Sequence, residues 1–149
     1  MTDLPKTTLI PVDPPFVDAR GVIQNVLHQT IGSVVLIGSL EGTTRASHWH
    51  KKDWHYCFVV EGHIEYYERE VGSIACPRFQ VFKQGELFFT PPNMEHEMYF
   101  SVLTVFMTLA NLHRSPESYE EDLVRLPKKL RDIYVEVMRG PGTGSVSAL

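Results

Sequence analysis

A chain of 149 residues and 17.0 kDa is long enough to bury one real core and short for two, so a single domain is expected. With 14 Lys+Arg against 18 Asp+Glu the formal net charge is -4, and the basic residues are scattered. Nucleic acid is thereby excluded as a main partner, because phosphate binding needs a concentrated positive face.

Two cysteines, Cys57 and Cys76, cannot build a disulfide framework, and no zinc-type CxxC spacing occurs. No stretch approaches the roughly 20 apolar residues of a membrane span, and "MTDLPKTTLIPVDPPF" lacks the apolar run of a signal peptide. A soluble, cytoplasmic protein without a membrane partner is expected.

Residues 1–15 are rich in Pro and Thr, which favours an extended arm that Ile10 and Phe16 could pin to a neighbour. From residue 16 to 112 the pattern changes to strand-length runs rich in Val, Ile, Phe, Tyr and Thr: "GVIQNVL", "SVVLIGSL", "TTRASHWH", "HYCFVVEG", "HIEYYERE", "RFQVFKQG", "ELFFTPP", "HEMYF" and "VLTVFMTLA". Glu41-Gly42, Glu61-Gly62, Gly72-Ser73, Gln84-Gly85 and Pro91-Pro92-Asn93 supply the reversals between them. Short strands at this spacing without interleaved helices predict an all-β antiparallel sandwich or barrel.

Residues 113–140 read as helical. Ser115 is the candidate N-cap with Pro116 at the first helical position, and Ser118 with Glu121 could form a capping box. Pro127 divides the segment, and Leu126, Leu130, Ile133 and Val137 recur at a helical period beyond it. Two short helices with an apolar stripe are predicted, followed by a frayed tail over 141–149.

The segment "RASHWHKKDWH" concentrates three imidazoles. His48 and His50 share one strand face because side chains alternate, and they stand about 7 Å apart along it. His55 begins the next strand and can reach the same interior if the two strands pair as neighbours; His96, in "PPNMEHEMYF", would have to be brought in by barrel closure. An HxH pair alone is equally at home as solvated side chains. Four neutral imidazoles around one point suit Zn, Fe, Ni, Mn or Cu and do not suit Ca or Mg, which prefer oxygen.

By parity Trp49 faces away from His48 and His50, Cys57 shares the face of His55, and Glu95 and Glu97 point away from His96. Met98, Phe100 and Phe89 are candidate apolar lining. Arg45 lies three residues before His48, an odd offset, so it reaches the same face only if the strand carries a bulge near Ala46 or ends at the rim.

The run "GTTRASHWHKKDWHYCFVVEG" resembles the first motif of the cupin superfamily, with His55 where the motif usually carries Glu, and "GELFFTPPNMEHEMYF" resembles the second, with Pro91 and His96 matching. The resemblance implies a single-domain jelly-roll β-barrel with one or two short C-terminal helices. Its interior would hold one divalent transition metal ion (Zn, Fe, Ni or Mn) through His48, His50, His55 and His96.

A narrower likeness is to cupin-fold enzymes that isomerise or epimerise nucleotide-linked 4-keto-6-deoxy sugars, carried by "RASHWHKK" and "HEMYFSVLTVFMTLA…SYEEDLVR". It implies that Arg45 helps hold the diphosphate or sugar and that His48 or His50 removes a proton beside the keto group, a task suited to an imidazole. Those enzymes also use a tyrosine on an earlier strand, which "SVVLIGSL" does not supply, so the role would fall to Tyr56, Tyr66 or Tyr99. The expected function is isomerisation or epimerisation of a sugar or keto-sugar nucleotide. Metal-dependent dioxygenase-type oxidation and a non-catalytic small-ligand sensor remain open alternatives. A Pro-rich arm, strand edges to cover and the two tryptophans favour a homodimer.

Overall fold

The computed structural model describes residues 4–6 and 8–140. Twelve β-segments and two helices follow one another as β1 Leu9–Ile10, β2 Phe16–Asp18, β3 Gly21–Ile23, β4 Ser33–Ser39, β5 Thr43–His50, β6 His55–Glu61, β7 His63–Glu70, β8 Arg78–Lys83, β9 Leu87–Thr90, β10 Met94–Phe100, β11 Thr104–Ala110, α1 Pro116–Asp122, β12 Leu123–Arg125 and α2 Leu130–Arg139. The tail predicted from residue 141 lies outside the described residues. No helix among them is long and apolar enough to cross a membrane.

Two antiparallel sheets carry the fold, one in the order β1-β9-β6-β11-β4 and the other β12-β5-β10-β7-β8. They face each other without a continuous ring of hydrogen bonds, so the expected jelly roll takes the form of a sandwich. Inward residues of both sheets, among them Val59, Ile64, Phe82, Phe88, Phe100 and Phe106, form the main core, with Cys57 as a small buried filler. The turn from β6 to β7 needs glycine: Gly62 has φ +83°, and a Cβ there would meet the Leu103 carbonyl oxygen at 2.5 Å.

The N-terminal arm is pinned to the β-domain through Ile10, one of the two residues expected to do so. Leu9 and Ile10 pair with Phe88 and Leu87, and Ile10 packs on the outer face of the β6–β9 sheet. Of "GVIQNVL" only Gly21–Ile23 is strand, paired with Phe16–Asp18 in a separate hairpin. The chain beyond it lays Val26, Leu27 and Ile31 over an outer apolar cluster of Trp54, Tyr56, Leu87 and Phe89. Trp54 is therefore buried and does not offer the dimer surface expected of the two tryptophans.

Ser115 caps α1, exchanging hydrogen bonds with Ser118, so the capping box closes one turn earlier than Ser118–Glu121. In α2 Leu130 is fully buried and Tyr134 packs edge-on against Tyr67 and tilted against Phe79, while Val137 is half exposed and leaves the expected stripe. Glu97, on the outer face of β10 and fully buried, anchors this helix by accepting hydrogen bonds from the Leu130 and Arg131 amides and the Ser47 hydroxyl. It satisfies amides that a helix start leaves unpaired, and its charge complements the helix dipole. Glu97→Ala is expected to lower unfolding free energy by about 3 kcal/mol in urea titrations. Glu136→Ala, which removes an exposed ion pair with Lys128, should cost no more than about 0.5 kcal/mol.

Candidate active site

Strand β5 is bulged where the site requires it. His48 pairs with His96 on β10, but the next step on β10, Glu97, pairs with Ala46, so Ser47 is the extra residue. Ala46 and Ser47 carry φ of +67° and +60°, which re-aims the strand. Arg45, Ala46, His48 and His50 consequently all line one cavity despite the odd offset, while the Ser47 hydroxyl goes to Glu97 on the other face. The condition set by the sequence for Arg45 is met by the first of its two routes.

The four site histidines assemble in a different way from the one expected. His96 is the cross-strand neighbour of His48 within one sheet and needs no closure of the barrel, whereas His55 comes from the facing sheet. The short link Lys51–Trp54 does not join paired strands; it carries the chain from one sheet to the other. The His48 ring centroid lies 4.8 Å from those of both His50 and His96, and His55 lies 5.2 Å from His96 and 5.6 Å from His50. Ligand nitrogens of His48, His50 and His96 fall within 4.8 Å of one another.

Two of the rings are fixed by acceptors. The Nδ1 of His50 donates to Asp122 Oδ2 at 3.0 Å, and the Nδ1 of His96 donates to the Met94 carbonyl at 2.9 Å. A carboxylate and a carbonyl can only accept, so in both rings Nε2 keeps its lone pair. Asp122 is itself held by the backbone amides of Lys52 and Asp53.

Burial is the main reason His48, His55 and His96 stay neutral. It draws His48 down to about 2, with His96, His50, Arg125 and Arg114 adding repulsion, and His96 down to about 3, and it holds His55 well below the usual imidazole range. Asp53, at the same cavity, is raised by burial.

The cavity holds about 150 Å³ between the sheets. Arg45 stands at it with its guanidinium on Ser39 Oγ (2.6 Å) and the Gly38 carbonyl (2.9 Å), and Met98, Phe106 and Thr108 supply much of the remaining wall. Of the other expected lining, Phe100 belongs to the core and Phe89 to the outer cluster. The tyrosine candidates do not reach it. Tyr56 neighbours His55 and so points to the opposite face, where its hydroxyl donates to Gln29. Tyr66 is core, bonded to Thr90, and Tyr99 lies outside under the Arg131 guanidinium.

The sequence did not single out Arg114 and Tyr119, which line the cavity, or Asp122, which bonds His50 from behind it. They arrive because β12 pairs with β5, setting Leu123 against His50 and Arg125 against His48. A three-residue strand between two helices gives almost no periodic signal; the only hint is that Tyr119 and Asp122 are spaced to share a helix face.

Two facing antiparallel sheets with a histidine-lined interior define a jelly-roll cupin fold. No family model matches the sequence, and no curated protein matches it. Solved structures do resemble it. A double mutant of the 3,4-ketoisomerase QdtA from Thermoanaerobacterium thermosaccharolyticum, in complex with TDP, superposes with TM-score 0.67 at 20% identity over 94% of this chain and 100% of that one. A 3,4-ketoisomerase from Helicobacter canadensis gives 0.68 at 17%, covering 89% and 97%. The dTDP-6-deoxy-D-glucose-3,5-epimerase RmlC from Legionella pneumophila, in complex with dTDP-4-keto-L-rhamnose, gives 0.59 at 15%, covering 70% and 66%.

The neutral cluster makes stability depend on pH with a definite sign. Unfolded histidines take up protons below about 6.5, and the folded His48, His55 and His96 do not, so the stability present above that value is lost as pH falls towards 3 and 2. Each group contributes up to about 1.4 kcal/mol per pH unit. Urea midpoints of metal-free protein should fall between pH 7 and pH 5, and replacing His55 with Gln should flatten that slope.

Proposed function

We propose that this chain is a cytoplasmic enzyme that isomerises or epimerises a nucleotide-linked keto-sugar. The observation carrying this reading is the buried His50–Asp122 contact at the cavity wall, 3.0 Å long, which leaves one imidazole nitrogen free to take a proton. His50, or His48 beside it, serves as the base that removes hydrogen from the carbon next to the keto group. Asp122 behind His50 stabilises the imidazolium that forms when the ring takes that proton, which favours His50 over His48, whose proton affinity burial lowers. Arg45 holds the diphosphate or the sugar through guanidinium hydrogen bonds, and Met98 and Phe106 exclude water. The neighbouring solved structures support the substrate class, since one is a 3,4-ketoisomerase bound to TDP and another an epimerase bound to dTDP-4-keto-L-rhamnose.

A second reading rests on a separate observation, the ligand nitrogens of three rings within 4.8 Å of one another. His48, His50 and His96 would hold one divalent transition metal ion, Zn, Fe, Ni or Mn; His55, the fourth expected ligand, stands outside that close set with its ring 5.2 Å from that of His96, and Asp122 behind His50 is the outer partner that ligating histidines commonly have. When bound, such an ion would polarise the keto oxygen as a Lewis acid. The two readings give His48 and His50 different duties, base or ligand.

One experiment separates them. Untagged protein is assayed by elemental analysis and, before and after chelator, for conversion of a 4-keto-6-deoxy sugar nucleotide. The acid–base reading expects no stoichiometric metal and unchanged turnover; the metal reading expects about one ion per chain and lost turnover. In either case His50→Ala should lower kcat at least about a hundredfold and Asp122→Asn about tenfold or more. Tight binding of such nucleotides without conversion would replace the enzyme by a sensor, and iron with oxygen uptake would replace isomerisation by oxidation.

We propose in addition that the protein is a homodimer. Val34 and Leu36 on the outer face of β4, which ends its sheet among the described residues, are exposed, as are Phe16, Val17, Val22 and Ile23 on the β2–β3 hairpin. A sheet edge flanked by apolar side chains is a ready surface for a second copy. Light scattering should give twice the chain mass, and Leu36→Lys should halve it; a monomeric wild type ends the proposal.

A further inference from the structure

The keto-sugar reading needs a proton donor that no earlier strand supplies, and on that reading we infer that Tyr119 is the catalytic acid, contributed by α1. Among the described tyrosines it alone lines the histidine cavity. Its ring centroid lies 6.2 Å from that of His48 and 5.9 Å from that of His50, in edge contact with both. No side-chain hydrogen bond engages its hydroxyl among the described residues, whereas Tyr56 is bonded to Gln29 and Tyr66 to Thr90. Tyr119 is thus unlike the tyrosines that merely fill space.

Its position is also determined from three directions. Arg114 lies over its ring, 4.3 Å from the centroid, a cation–π contact that fixes the ring plane. Asp122, three residues on and on the same helix face, bonds His50. Helix α1 runs straight into β12, whose pairing with β5 places this turn against the histidine strand.

The chemistry balances within the site. The base takes hydrogen from the carbon beside the keto group, and the bonding pair forms the enolate double bond while charge passes to the keto oxygen. Tyr119 then gives its phenolic proton to carbon, forming the new C–H bond and leaving a phenolate. The imidazolium returns its proton to that phenolate directly or through a solvent water, restoring both groups. In an isomerisation the hydroxyl proton on the first carbon moves to the former keto oxygen, so no atom is gained or lost.

Tyr119→Phe tests this, because it keeps the ring and the Arg114 contact and removes only the hydroxyl. Wild type, Tyr119→Phe and Tyr56→Phe are incubated with a 4-keto-6-deoxy sugar nucleotide in D2O, and deuterium uptake into substrate and product formation are followed separately. Tyr119→Phe should lose product formation at least about a hundredfold while substrate exchange stays within about threefold of wild type, and Tyr56→Phe should match wild type in both. Product formation that survives Tyr119→Phe overturns the assignment, as does a parallel loss of exchange, which would make the residue a positioning group. A wild type that neither exchanges nor converts the sugar removes the parent reading and this role with it.

Discussion

Strand β5 has to satisfy three demands at once, and the rest of the site follows from how it does so. It pairs with β10 on one side and β12 on the other, and it turns His48 and His50 inward. A flat strand could not also turn Arg45 inward. The extra residue at Ser47, with positive φ at two successive non-glycine positions, resolves the conflict at a conformational cost of order 1–3 kcal/mol per residue. The surrounding contacts carry that cost. Glu97 takes the displaced Ser47 hydroxyl and in the same act pins the N-terminus of α2, so one buried carboxylate couples the bulge to the helix packed behind the sheet.

Much of this was legible in the sequence because strand chemistry has a short period. Alternation showed that His48 and His50 share a face, that Trp49 and the two glutamates beside His96 do not, and that Arg45 needed an irregularity at Ala46. What alternation cannot show is which strands are neighbours. The tight four-residue link after His50 suggested a hairpin, yet it spans the two sheets, and His96, 46 residues further along, is the ring that sits directly beside His48. Sequence separation was a poor guide to distance here because jelly-roll strands pair with partners far along the chain. The same ambiguity misplaced Tyr56, whose parity with respect to His55 excluded it from the cavity.

The least legible part is the C-terminal contribution. Ser115, Pro116 and the acidic first turn announce α1, but nothing in a helix signal tells that the next three residues will extend the histidine sheet. Arg114 and Tyr119 reach the cavity, and Asp122 reaches His50, through this tertiary pairing. The functional reading that rested on "HWH" and His96 was therefore incomplete in a specific way: it had the nitrogen donors and lacked the groups that orient them.

Orientation matters as much as donor count, because a neutral imidazole has one lone pair and two places to put it. In His50 the carboxylate of Asp122 settles the choice, and Asp122 in turn is settled by the amides of Lys52 and Asp53 in the sheet-crossing link. The link thus has two duties: it moves the chain to the facing sheet so that His55 closes the cluster from the other side, and it holds the acid that aims His50. A bare β-sandwich ending at Ala110 would keep all four rings and lose that acid, the phenol of Tyr119 and the Arg114 guanidinium above it. The C-terminal segment is for this reason part of the site's chemistry, and the sheet edge it covers is the means by which it is put there.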